Sequence, residues 1–152
     1  MKNFIIIFFF FFINFPVNAD LLKPSPLLDP KQVILIQLSA LTNNNIPYKN
    51  FGIKQTWEFA HPSNKKYTGP LNNFTKMMYS ANYEKMINHK KHNVNQIAIS
   101  ENLAMFFVII LDTYGAKYGF NWIVEKVKIQ GDFYNCWMTS SVSPPLKYGE
   151  DT

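Results

Sequence analysis

The chain has 152 residues, and its fifteen basic side chains, all lysine, face ten acids. Scattered lysines without arginine provide no guanidinium fork for bidentate reading of phosphate or guanine, so no nucleic-acid partner is expected. The sole cysteine, Cys136, excludes an internal disulfide and leaves stability to packing; the setting YNCWM favours a buried thiol.

The first segment in chain order reads as a leader. Lys2 supplies a positive start, residues 4–13 are an unbroken apolar run, and Pro16 breaks it. Val17 and Ala19 then occupy the −3 and −1 positions of a cleavage site. That layout is a secretory signal peptide cut between Ala19 and Asp20. The run is about half of what spans a bilayer, so no membrane span is expected after cleavage. Residues 20–152 suit one domain with one core. The expected destination is a periplasm, a thylakoid lumen or the cell exterior.

Residues 20–28, with two prolines, read as an extended lead-in. Asp29, Pro30 and Gln32 form a capping-box start. Ile34, Leu38 and Leu41 then share one face of a helix over about residues 30–43, ended by three asparagines. A second helix follows Pro47 and runs to about residue 59, with Ile53, Trp57 and Ala60 on one face and Gly52 weakening its beginning. A third starts at Pro70, with Leu71, Phe74, Met77 and Met78 as its apolar stripe.

Period two replaces period 3.6 beyond this point. Strands are expected over residues 94–100, 103–111, 119–129 and 133–142, separated by short turns. The second, LAMFFVIIL, is apolar on both faces, as expected of a strand covered by helices. In the third, Phe120, Trp122 and Val124 alternate with Asn121, Ile123 and Glu125. Residues 143–152 read as a polar tail. Helices followed by a meander predict an α+β domain over residues 29–142, with N-terminal helices packed on a curved four-stranded antiparallel sheet.

Two segments carry a resemblance. FAHPSNKKYTGPLNNF, residues 59–74, resembles the FASP…N…TGP…F segment of an uncharacterised domain family of bacteria, cyanobacteria and plant plastids. YGFNWIVEK and GDFYNCWMTSSV resemble that family's closing strands, W-x-L followed by CWMTDSV. The likeness covers about residues 29–142. Here His61 replaces serine and Ser140 replaces aspartate. The resemblance implies a cystatin-like, nuclear-transport-factor-2-like cone, a fold that hosts isomerases, dehydratases and binding modules.

Residues 59–74 are first a connection between helices. Pro62 stops a helix and biases His61 toward extended backbone, while Gly69-Pro70 leads into the next. Lys65, Lys66 and Tyr67 fit a solvated face. An enzyme on this scaffold needs a general base in a dry cavity. The candidates are His61, Glu58 and Asp112, with Tyr114 or Tyr67 as donors to an oxyanion. Trp57, Phe74, Trp122 and Trp137 either line such a cavity or fill the core, and a chain without disulfides needs them as core. His89 and His92 have helical metal-ligand spacing, but flanking lysines repel a cation, and on an extended segment the two rings point to opposite faces. Surface histidines beside a strand start are the expectation. No phosphate-cradling glycine loop or dinucleotide fingerprint appears, so no cofactor is expected. Asn73-Phe74-Thr75 is a glycosylation sequon in a eukaryotic source.

The expected function is an exported small-ligand-binding or accessory module. The alternatives are an isomerase or dehydratase using a His/Asp pair, and a protein–protein adaptor or homodimer through the sheet face.

Overall fold

The computed structural model describes residues 20–150; the expected leader, residues 1–19, lies outside the described residues, and of the expected cleavage pair Ala19 lies outside and Asp20 just inside. Among the described residues four helices precede a five-stranded antiparallel sheet, curled but open, in a mixed α+β arrangement. Among the described residues no helix is long and apolar enough to cross a membrane.

Helix α1 spans Pro30–Thr42. Its start follows the sequence: Gln32 N–H donates to Asp29 Oδ1 and Asp29 N–H donates to Gln32 Oε1, both at 2.8 Å. Val33, Ile34, Leu38 and Leu41 are buried along one stripe. Asn44 follows, fully buried, and its Oδ1 accepts from Ile53 N–H at 2.9 Å, tying the end of α1 to α2, Phe51–Glu58. Gly52 sits where the two helices touch. A Cβ there would strike the Ala40 carbonyl, so this glycine, a weak helix former, permits the close approach.

The connection over residues 59–74 contains a helix of its own, α3, Pro62–Thr68. Pro62 occupies its first turn, where proline lacks no needed N–H, so the proline read as a stop also starts the next helix. None of its side chains is fully buried. Helix α4, Leu71–Met78, buries Phe74 and Met78 as its stripe predicts. A short turn of 3-10 helix, Glu84–Met86, leads to the sheet.

Strands β1 (Lys91–Ile99), β2 (Leu103–Leu111) and β3 (Ala116–Lys126) form a meander. The far edge of β3 is shared: β4 (Trp137–Val142) pairs with residues 122–126 and β5 (Leu146–Glu150) with residues 116–119. The segment read as a polar tail thus supplies a fifth strand, and residues 127–129 and 133–136 leave the sheet where strand was expected. Phe120, Trp122 and Val124 face the helices and are buried with Phe106, Val108 and Ile110 of β2. Helix α1 lies against this face, contacting β1 and β4. On the other face of β2 Met105 is 39% exposed. Val127, Cys136 and Met138 make a small separate cluster with Phe133, and burial pushes the Cys136 thiol pKa up.

Candidate functional site

One threonine joins the helices to the sheet. Thr139 of β4 forms a parallel bridge with Ala60: its N–H donates to Phe59 C=O and its C=O accepts from His61 N–H, both at 2.8 Å. Asn64 Nδ2 reaches the same carbonyl at 3.3 Å. The Thr139 hydroxyl accepts from Trp122 Nε1 at 2.9 Å and donates to Gln37 Oε1 at 2.6 Å. Gln37 Nε2 continues to the Thr56 carbonyl at 3.0 Å. The side chains of Trp122, Thr139 and Gln37 are buried, and each of their donors has an acceptor. Buried polar groups persist only when paired in this way.

A cavity of about 140 Å³ opens beside this network. Its apolar wall is Phe74, Met77, Met78, Met86 and Trp122, and its polar wall is Gln37, Thr56, Asn64, Thr139 and Ser140. Tyr67 stands at the mouth, 92% exposed, and Tyr83 lies half-buried, its hydroxyl donating to the Val142 carbonyl at 3.1 Å. Burial raises the Tyr83 pKa, with a smaller contribution from the Tyr67 phenol. Among the described residues no Asp, Glu, Lys or His lines this cavity.

The four aromatic candidates divide. Phe74 and Trp122 line the cavity; Trp57 and Trp137 do not. Trp57 packs on Phe74 with ring centroids 5.1 Å apart, and Trp137 is buried in the main core with Lys126 Nζ 5.1 Å from its ring. Lys65, read as part of a solvated face, lies 5.2 Å from the Trp57 ring and 5.6 Å from Phe133, and burial lowers its pKa.

The catalytic candidates are held elsewhere. His61 caps α3: its Nδ1 accepts from Ser63 N–H at 3.2 Å and lies 2.7 Å from Ser63 Oγ. Burial lowers its pKa, opposed by Glu125. Asp112 is 3% exposed, and its Oδ1 accepts from Tyr114 N–H and Ala116 N–H, each at 2.9 Å, closing the β2–β3 turn. A separate cavity of about 330 Å³ is lined by Asp112 and the exposed Tyr114 together with Glu84 and Lys85. Glu58 pairs with Lys23 at 2.7 Å.

The two histidines expected on the surface, on opposite faces, instead meet. His89 is 2% exposed, its Nδ1 donates to the Met86 carbonyl at 2.6 Å, and its Nε2 accepts from His92 Nδ1 at 2.8 Å. The backbone turns at Asn88, with φ 55°, so His89 precedes the strand and strand alternation does not apply to it. Among the described residues no three of His, Cys, Asp and Glu cluster as metal ligands would.

Gln37 and Thr139 were not singled out by sequence. The available signal was a lone amide within VILIQLSAL, four residues after Val33 on the stripe that α1 buries. No protein-family model, curated protein or solved structure matches the chain.

Proposed function

We propose that this protein is a binding module for a small uncharged molecule with a mainly apolar body. The observation that carries this reading is the cavity of about 140 Å³ with a methionine-rich apolar wall, neutral polar groups and no acid or basic side chain among its described lining. A charged ligand placed there would lose its hydration without gaining a counter-ion. A dry cavity of about 150 Å³ accommodates benzene, which sets the ligand's scale. Methionines adapt their shape to a guest, and the amide and hydroxyl groups on the opposite wall orient one polar substituent.

Proton-transfer chemistry draws less support. Asp112 uses its carboxylate to hold a turn, and His61 uses its acceptor nitrogen to cap a helix. In this reading the chain acts after export, with its leader removed between Ala19 and Asp20. Its resemblance to the uncharacterised plastid and bacterial domain family adds no reaction.

Titration with phenol, indole, benzoate and benzylamine tests the proposal, read by the methyl resonances of Met77, Met78 and Met86 and by Trp122 fluorescence. Phenol or indole should move these signals saturably, and the two charged analogues should not. Binding of benzoate in preference to phenol, or no response to any of the four at about 1 mM, a free energy of only about −4 kcal/mol, would overturn it.

A further inference from the structure

The cavity of about 330 Å³ is formed by residues of the β2–β3 turn and of the 3-10 turn Glu84–Met86, and it shares no described lining residue with the methionine-walled one. Its volume falls in the range of small-molecule sites. Charges of both signs line it, each set on a short turn. Asp112 is buried, and the two backbone N–H groups of its turn both donate to Oδ1. Among the described residues Oδ2 receives no hydrogen bond, yet no fully buried side-chain oxygen there lacks a partner. Oδ2 therefore reaches open space, and the cavity that Asp112 lines provides it. On the other turn Lys85 Nζ donates to Glu84 Oε1 at 2.9 Å and lies 5.9 Å from the Tyr118 ring. An ammonium has three N–H groups, so Lys85 keeps donors for a further acceptor. The Glu84 hydrogen bond is the main cause that raises the Lys85 pKa, and the Asp112 charge adds to it, so the charges of the two turns act on each other.

We infer that this cavity is a second binding site, for a small zwitterion of the amino-acid class, whose ammonium meets Asp112 Oδ2 and whose carboxylate meets the Lys85 ammonium. Charge selects this class. A simple anion would reach Lys85 only beside two carboxylates, Asp112 and Glu84, and a simple cation would leave Lys85 without a new acceptor while lying near its charge. A ligand with both signs uses the spare capacity of both side chains, and hydrogen bonds between charged groups are the stronger kind. Ile87 and the ring of Tyr114, 90% exposed on the β2–β3 turn, supply apolar surface for the rest of the ligand. Because both charges sit on hydrogen-bonded turns, little ordering is left for the ligand to impose. The site stands independently of the methionine-walled cavity.

Three probes with one side chain test it: phenylalanine carries both charges, phenethylamine only the ammonium and phenylacetate only the carboxylate. Each is titrated into the full-length chain, as its expression host processes it, and read by the backbone amide resonances of Lys85, Thr113 and Tyr114. Phenylalanine should shift these resonances saturably below about 10 mM, and each singly charged probe should bind at least about tenfold more weakly. The methyl resonances of Met77 and Met78 should stay in place. Lys85→Gln should weaken phenylalanine at least about tenfold without weakening phenethylamine, at an unchanged melting temperature. Asp112→Asn keeps an acceptor for the turn and should weaken phenylalanine by a similar factor without weakening phenylacetate. No saturation by phenylalanine, a singly charged probe that binds as tightly, or an affinity indifferent to Lys85→Gln would overturn the site. Movement of the Met77 and Met78 methyls alone would place the ligand in the other cavity and overturn it as well.

Discussion

The indole N–H of Trp122 donates to the Thr139 hydroxyl at 2.9 Å, and that hydroxyl has only one direction left in which to donate, toward Gln37 Oε1 at 2.6 Å. Because indole can only donate, the direction of the whole chain is set from β3 through β4 to α1, and through Gln37 Nε2 to the backbone of α2. Elements distant in sequence are thereby aligned along one wall of the cavity.

Replacing Thr139 by valine keeps the shape and deletes both bonds. The indole N–H and the Gln37 carbonyl are then buried without partners, at about 1–3 kcal/mol for each. We expect a loss of about 2–4 kcal/mol in urea denaturation, with Thr139→Ser recovering most of it. Trp122→Ala should cost about 3–5 kcal/mol through lost packing. A change below about 0.5 kcal/mol for Thr139→Val, the level of ordinary surface substitutions, would remove the network from the account of stability.

Gly52 makes a separate prediction. A methyl at this position meets the Ala40 carbonyl on α1, which is backbone and cannot swing aside. Gly52→Ala, ordinarily favourable inside a helix, should therefore destabilise by about 1–3 kcal/mol. Thermal melting of the two proteins decides the sign.

His89 predicts the pH dependence. Burial lowers its pKa from 6.5 to about 4, with His92 also lowering it and the Met86 carbonyl opposing. The unfolded chain then binds more protons than the folded chain between those values. Stability should be full above about pH 6.5, fall as the pH drops toward 4, and level off below. The total from this side chain is about 3 kcal/mol at 1.36 kcal/mol for each pKa step. His89→Gln should flatten the profile between pH 6.5 and 4; an unchanged slope would assign the loss to another group.

Asp112 distinguishes structure from chemistry. Its carboxylate accepts two backbone N–H groups, and hydrogen bonds to a charged acceptor contribute about 1.5–3 kcal/mol each. Asp112→Ala should lower stability by about 2–4 kcal/mol and leave phenol binding at the methionine cavity unchanged, as measured by the methyl shifts.

Much of the frame was readable because it depends on neighbours in sequence. Asp29 and Gln32 cap α1 across three residues, Phe74 and Met78 fall on one side of α4, and Phe120, Trp122 and Val124 alternate along β3. Short turns between strands require the antiparallel meander that is found. These features follow from backbone period and local hydrogen bonding, which a linear sequence states directly.

Other features depended on contacts the chain order does not contain. Pro62 can end one helix or begin another, and the bridge of Ala60 to Thr139, 79 positions later, helps set the place of α3. The segment from Leu146 becomes a strand because β3 extends beyond β4 and offers a free edge. His89 and His92 meet because the turn at Asn88 precedes the strand, and Gln37 becomes a cavity wall only once β4 lies across α1. Sequence by itself determined the helices-then-sheet order and most of the buried faces, since solvent and local geometry act on each segment separately. Tertiary structure alone decided which polar groups meet and where space remains between helices and sheet, because pairing and cavities are properties of surfaces brought together.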